Sequence, residues 1–146
     1  MADYDYIIVG GGSSGCVLAN RLSENPAHKV LLIESGRRDA DPFIHIPATF
    51  FKVLEKGIDV HGYVSEPEKG LNGRPQIVPQ GNVIGGGSSI NAMIYIRGHR
   101  NDYDTWSQMG CQGWSYEDVL PAFRSLENNG NLDGKYHGRS GTLHVS

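Results

Sequence analysis

The chain has 146 residues, 38% of them hydrophobic and 20% charged, a balance that suits one globular domain with a real core and excludes a disordered segment. Its net charge of −3, with 13 Lys and Arg scattered along it, argues against nucleic acid as a partner. No apolar run approaches the roughly 18 residues of a membrane span, and the N-terminus lacks a basic and apolar leader, so a soluble, cytoplasmic protein without a membrane span is expected.

In chain order, Tyr4 to Val9 is an apolar run stopped by Gly10, the pattern of a buried parallel strand. From Ser14 to Ser23 the apolar positions Cys16, Val17, Ala19 and Leu22 recur at helical spacing until Asn25-Pro26 ends them. Val30 to Ile33 then gives a second strand, so residues 4–36 predict one βαβ unit with a right-handed crossover. Residues 37–80 lose periodicity and carry Pro42, Pro47, Pro67, Pro75 and Pro79, which predicts an extended excursion with at most one short helix near Ala48 to Glu55. After the glycine-rich turn at residues 81–87, the run Ile90, Ala92, Ile94, Ile96 fits helix and strand equally well. Beyond Asp102, the spacing of Trp106, Trp114, Val119, Leu120, Phe123 and Leu126 predicts one or two amphipathic helices, with both tryptophans in the core and Ser115 and Asp118 at capping-box spacing. Gly130 to Gly141 is a polar loop, and Thr142 to Ser146 is strand-like.

The most informative local pattern is Gly10-x-Gly12-x-x-Gly15 between the first strand and the helix. There Gly10 permits the tight turn, Gly12 lets a pyrophosphate approach the backbone, and Gly15 lets helix and strand pack closely. The helix N-terminus offers free N–H groups to phosphate, with the Ser13 and Ser14 hydroxyls as further donors. Glu34 ends the second strand nineteen residues beyond Gly15, where an acid can accept the ribose hydroxyls of an adenosine. The same carboxylate would repel a 2′-phosphate, so NADP is disfavoured while NAD and FAD both remain open. Gly11-x-Ser13-x-Gly15 also fits the nucleophile elbow of serine hydrolases, but that fold needs strands and an oxyanion loop earlier in the chain, and only ten residues precede Gly11.

The two cysteines, Cys16 and Cys111, form no metal or disulfide pattern and are expected as reduced thiols. The six histidines show no metal-site spacing, and His99 with Arg100 suggests surface pairing rather than catalysis.

The stretch from Gly81 to Gly98, GNVIGGGSSINAMIYIRG, together with Asp104, resembles the first signature of the glucose-methanol-choline oxidoreductases. The segments YDYIIVGGGSSGCVLANRLS, LNGR at Leu71 to Arg74 and WSYEDVLPAFR at Trp114 to Arg124 resemble the same family, and its bacterial choline and alcohol dehydrogenase branch most. That resemblance implies an α/β, Rossmann-like FAD-binding domain with a parallel sheet, incomplete in this chain, whose second glycine loop passes close to the flavin. It implies flavin contacts at Val83, Gly86, Asn91, Ala92 and Ile94. Two departures stand out: many relatives carry Arg and Lys where this chain has Gln80 and Asn82, and choline oxidase-like members attach the flavin covalently through a His where this chain has Ile90. An alkyl side chain has no nucleophile, so non-covalent FAD is expected.

The family oxidises alcohols by hydride transfer to flavin while a histidine base takes the hydroxyl proton, and that base lies in a region with no counterpart here. The expectation is therefore an FAD-dependent alcohol oxidoreductase acting on a small-molecule alcohol, with this chain supplying the FAD site and a separate or missing C-terminal part supplying the base. The alternatives are a non-catalytic dinucleotide-binding module and an NAD-dependent dehydrogenase.

Overall fold

The computed structural model describes residues 3–146. They divide into two compact units, one running to Ile94 and one from Tyr95 to Ser146.

In the first unit, β1 (Tyr6–Val9) and β2 (Val30–Ile33) pair in parallel, Tyr6 opposite Val30 and Val9 opposite Ile33, with α1 (Ser13–Ser23) crossing between them. This is the βαβ unit predicted from the pattern. The strands are not buried, however. Ile7 is 61% and Val9 82% exposed, because the parallel sheet has only these two strands among the described residues and nothing covers its outer face.

The excursion over residues 37–80 is more ordered than its prolines suggest. It holds α2 (Pro42–His45), a 3-10 turn at Pro47–Thr49 and α3 (Phe50–Glu55), followed by an antiparallel pair of β3 (Val60–Val64) and β4 (Ile77–Gly81). Asp41 starts α2 by accepting from Phe43 N at 2.9 Å, with Pro42 in the first turn where a missing N–H costs nothing. The hairpin escaped the sequence reading because Pro79 and Gly62 both weaken a strand pattern; here they sit opposite each other, so one pair absorbs both irregular residues. Val53, Val83 and Ile90 form the core of the unit, with Phe43, Ile44, Ile58 and Val60 packed against them.

The Ile90 to Ile96 run is neither helix nor strand. A single helical turn, α4 (Gly87–Ile90), buries Ile90, and the chain then leaves regular structure with Ile94 79% and Ile96 84% exposed. The break has a local cause: Asn91 Oδ1 accepts from Met93 N at 2.7 Å, and Met93 takes a φ of +56°, which belongs to neither regular form.

The second unit contains α5 (Arg100–Gln108), α6 (Tyr116–Leu126) and a short parallel pair, β5 (Glu127–Asn129) with β6 (Leu143–Val145). The Ser115 and Asp118 capping box is formed, and His99 with Asp102 makes a second one. His99 thus starts a helix, while Arg100 makes the expected surface pair, 3.2 Å from Glu117. Trp106 and Trp114, expected in the core, are 45% and 53% exposed and stack edge-on against each other, with ring centroids 6.0 Å apart. The buried centre is polar instead. Glu127 is 0% and Asn129 5% exposed, beside the single buried aliphatic Leu120.

Glu127 is satisfied on both oxygens. Oε1 accepts from Asn129 Nδ2 at 2.8 Å and His137 Nδ1 at 3.0 Å, and Oε2 from Gly138 N at 3.0 Å and from Arg97 Nη2. Arg97 also donates to the Tyr136 carbonyl at 2.6 Å and lies over the Phe123 ring at 5.2 Å. The polar loop at residues 130–141 folds back over this hub so closely that a Cβ at Gly138 would stand 1.9 Å from the Arg124 carbonyl oxygen. Among the described residues, no helix is long and apolar enough to cross a membrane.

Candidate functional site

The two glycine loops, far apart in sequence, are brought against each other in the first unit. Gly10 turns the chain out of β1 with a φ of +97°, and Gly15 lies so close beneath it that a Cβ there would be 1.9 Å from the Gly10 carbonyl oxygen. A Cβ on Gly12, in contrast, would meet nothing within 4 Å, so the backbone there faces open space. Gly12 also begins α1 with no side-chain cap and no acidic residue in the first turn, which leaves N–H groups and the positive helix end free for an anion. Ser13 and Ser14 are exposed in that turn.

The second loop closes on this one. Gly85 N donates to Gly11 O at 2.7 Å, and Gly86, with a φ of +56°, approaches Gly12 so nearly that a Cβ would stand 2.8 Å from its Cα. The Ser13 and Ser88 hydroxyls are 2.5 Å apart. Behind them, Ile84 N donates to Arg37 O at 2.9 Å, and Gly36 leaves no room for a Cβ against Asn82 and Val83. Gly15, Gly36 and Gly86 lie where two backbones touch, and none of them has room for a side chain.

Glu34 stands at the junction. Its Oε2 accepts from Gly11 N at 2.5 Å and its Oε1 from Gly36 N at 2.7 Å, and these two backbone bonds hold its carboxyl below the usual range. The carboxylate therefore stays ionised and fastens the first loop to the turn after β2. Oε1 takes a second bond from Ser35 Oγ at 3.3 Å, while Oε2 keeps a further lone pair for a ligand.

Beside it opens a pocket of about 280 Å³ lined by Glu34, Ser35, His61, Tyr63, Gln80 and Asn82. Glu34 brings its carboxylate to that lining. His61 and Tyr63 stack edge-on at 4.5 Å, and Ser35 Oγ donates to Asn82 Oδ1 at 2.8 Å. Sequence reasoning missed His61 and Tyr63 altogether. Their place depends on the β3–β4 hairpin, and no local pattern signals a pairing across fifteen or more residues.

Of the positions that the family resemblance implied as flavin contacts, Gly86 is at the loop junction, while Asn91, Ala92 and Ile94 lie on the exposed segment after α4. Val83 is 0% exposed, and its side chain belongs to the core with Val53 and Ile90.

The family described as GMC oxidoreductase matches residues 4–146. An "Oxygen-dependent choline dehydrogenase" of Sinorhizobium fredii (strain NBRC 101917 / NGR234) is 47% identical over 141 residues, covering 97% of this chain and 26% of that protein. An "Alcohol dehydrogenase [acceptor]" of Pseudomonas putida is 46% identical over 144 residues, 98% of this chain and 26% of that one. Among solved structures, a pyridoxine 4-oxidase from Mesorbium loti superposes with a TM-score of 0.89 at 38% identity, over 97% of this chain and 28% of its own. The chain thus spans about a quarter of the length of the relatives it matches.

Proposed function

From the chain's membership of the GMC oxidoreductase family, shown by the match over residues 4–146, we propose that it supplies the FAD-binding part of an alcohol oxidoreductase. The observation that carries this reading is the closure of the two glycine loops around Gly12 and Gly86, with the ionised Glu34 fixed beside them. That arrangement suits a dinucleotide. The open backbone at Gly12 and the uncapped start of α1 accept the pyrophosphate, with Gly10, Ser13, Ser14 and Gly15 shaping the turn. The remaining lone pair of Glu34 Oε2 accepts a ribose hydroxyl, and the pocket beside it, with His61 and Tyr63, takes the adenine ring.

Bound FAD would supply the acceptor for a hydride from the carbinol carbon of the substrate. The residues of this chain bind and orient the cofactor for that step. His45 is engaged with the Asp39 carbonyl, and the family resemblance implies a base on polypeptide outside these residues. Relatives described as choline dehydrogenase, alcohol dehydrogenase and pyridoxine 4-oxidase support a small primary alcohol as the substrate class.

Glu34→Gln is expected to weaken FAD binding by about 1.5–3 kcal/mol, tenfold or more, since the charge-assisted bonds to ribose are lost and an amide N–H is turned against the N–H of Gly11 or Gly36. Titration of both proteins with FAD, followed by flavin fluorescence, measures it; equal affinities would remove Glu34 from the site.

Ile90 is buried in the core and carries no nucleophile, so the flavin is held without a covalent bond at that position. Acid or heat denaturation should release all the FAD into the supernatant, and yellow colour retained on the precipitated chain would contradict this.

A further inference from the structure

Residues 82–84 lead into the second glycine loop, and backbone bonds to two different turns hold them. Asn82 N donates to the Asp59 carbonyl at 2.8 Å, one step beyond the last pair of the hairpin, Val60 with Gly81. Ile84 N donates to the Arg37 carbonyl at 2.9 Å, in the turn after β2 that carries Glu34 and Gly36. The side chains of the same two residues also meet, Arg37 Nε donating to Asp59 Oδ1 at 2.5 Å. The start of β3 is thereby tied to the turn after β2, and the approach to the second loop hangs from both.

Aspartate is a costly residue for position 59. Its φ is +55°, in the left-handed region that L side chains avoid. Aspartate is tolerated there when its carboxylate bonds the backbone nearby, but among the described residues its one side-chain bond goes to Arg37, twenty-two residues away. The side chain is only 7% exposed, and Oδ2 is buried without a partner on the chain, which costs further free energy. The ion pair returns little stability in exchange, because Arg37 is 67% exposed. A glycine would avoid both costs, so folding alone does not account for the aspartate. Strain of this kind is kept where it holds a functional site in place.

We infer that Asp59 and Arg37 are a positioning pair, which by locking the two turns together holds Gly86 against Gly12 and so presets the slot that receives the pyrophosphate. This rests on the FAD reading above and adds to it two residues that act through the loop backbone rather than on the ligand. A Cβ at Gly86 would stand 2.8 Å from Gly12 Cα, so the loops are at backbone contact and a small displacement of residues 82–84 alters the gap directly. With the pair cut, the second loop must be ordered when the ligand arrives, and that cost is subtracted from the affinity.

Asp59→Gly removes the pair together with the strain and the unpaired oxygen, whereas Arg37→Ala removes the pair alone. Each is expected to bind FAD about fivefold or more weakly than the parent, and the double variant no more weakly than Asp59→Gly, because the two changes delete one interaction. Arg37→Lys should recover most of the affinity lost in Arg37→Ala, since a single bond through Nε is one that an ammonium can make. Asp59→Gly should unfold at a urea concentration no lower than the parent's, so that affinity falls while stability does not, a split that a merely structural pair would not produce. FAD titration by flavin fluorescence and urea unfolding of each protein measure both quantities. Variants that bind FAD as the parent does, losses that add in the double variant, no recovery in Arg37→Lys, or an Asp59→Gly protein that loses stability along with FAD would each overturn the positioning role and leave the dinucleotide reading standing. A parent that binds no FAD overturns that reading and the inference with it.

Discussion

Glu127→Ala is expected to cost the second unit about 3–5 kcal/mol, a loss that would leave most small domains largely unfolded. The carboxylate is 0% exposed and takes hydrogen bonds from Asn129, His137, Gly138 and Arg97. Removing it strands the Arg97 guanidinium, whose side chain is only 13% exposed, without its counter-charge. The unit has little else at its centre, since Leu120 is its one buried aliphatic. The same group sets the acid limit. Burial raises its pKa, but the bonds from Asn129, His137 and Gly138 and the charge of Arg97 outweigh burial and bring it down to about 2 from 4.5. A carboxyl depressed on folding contributes its stability above the unfolded value and loses it as pH falls through the folded one. Thermal midpoints should therefore hold steady from neutral pH to about 4.5 and drop between there and about 2, and Glu127→Gln should flatten that drop. An Ala variant that melts within a degree or two of the parent would show that the hub is not what holds the unit.

Gly15→Val and Gly12→Val are expected to fail in opposite ways. At Gly15 the first added carbon already stands 1.9 Å from the Gly10 carbonyl oxygen, so α1 must move off β1, and both the βαβ unit and the flavin should be lost. The overpacking cost is of order 3 kcal/mol or more, because the clash is with backbone and no rotamer relieves it. At Gly12 a Cβ meets nothing within 4 Å, so the chain should fold within about 1 kcal/mol of the parent and still purify without flavin, its branched side chain filling the space of the pyrophosphate. Urea unfolding and flavin content of the two purified variants decide the matter. A yellow Gly12→Val protein would mean that the open space at Gly12 is not the phosphate site.

These pairs show what kind of information each level held. The sequence by itself determined the βαβ unit, both glycine loops, the capping box at Ser115 and Asp118 and the strand-like end at Leu143–Val145, because each is set by neighbours a few residues apart. It also determined the family, through the long signature from Gly81 to Gly98. Only the tertiary structure decided that the two loops touch, since the bond from Gly85 to Gly11 spans most of the first unit. It alone decided that Pro79 and Gly62 pair in a hairpin carrying His61 and Tyr63 to the Glu34 pocket, and that Val83 turns into the core. The buried Glu127 was illegible for the same reason. A charged residue after an amphipathic helix reads as surface until partners from Arg97, His137 and Gly138, distant along the chain, arrive to satisfy it, and the energy of a buried charge depends wholly on those partners.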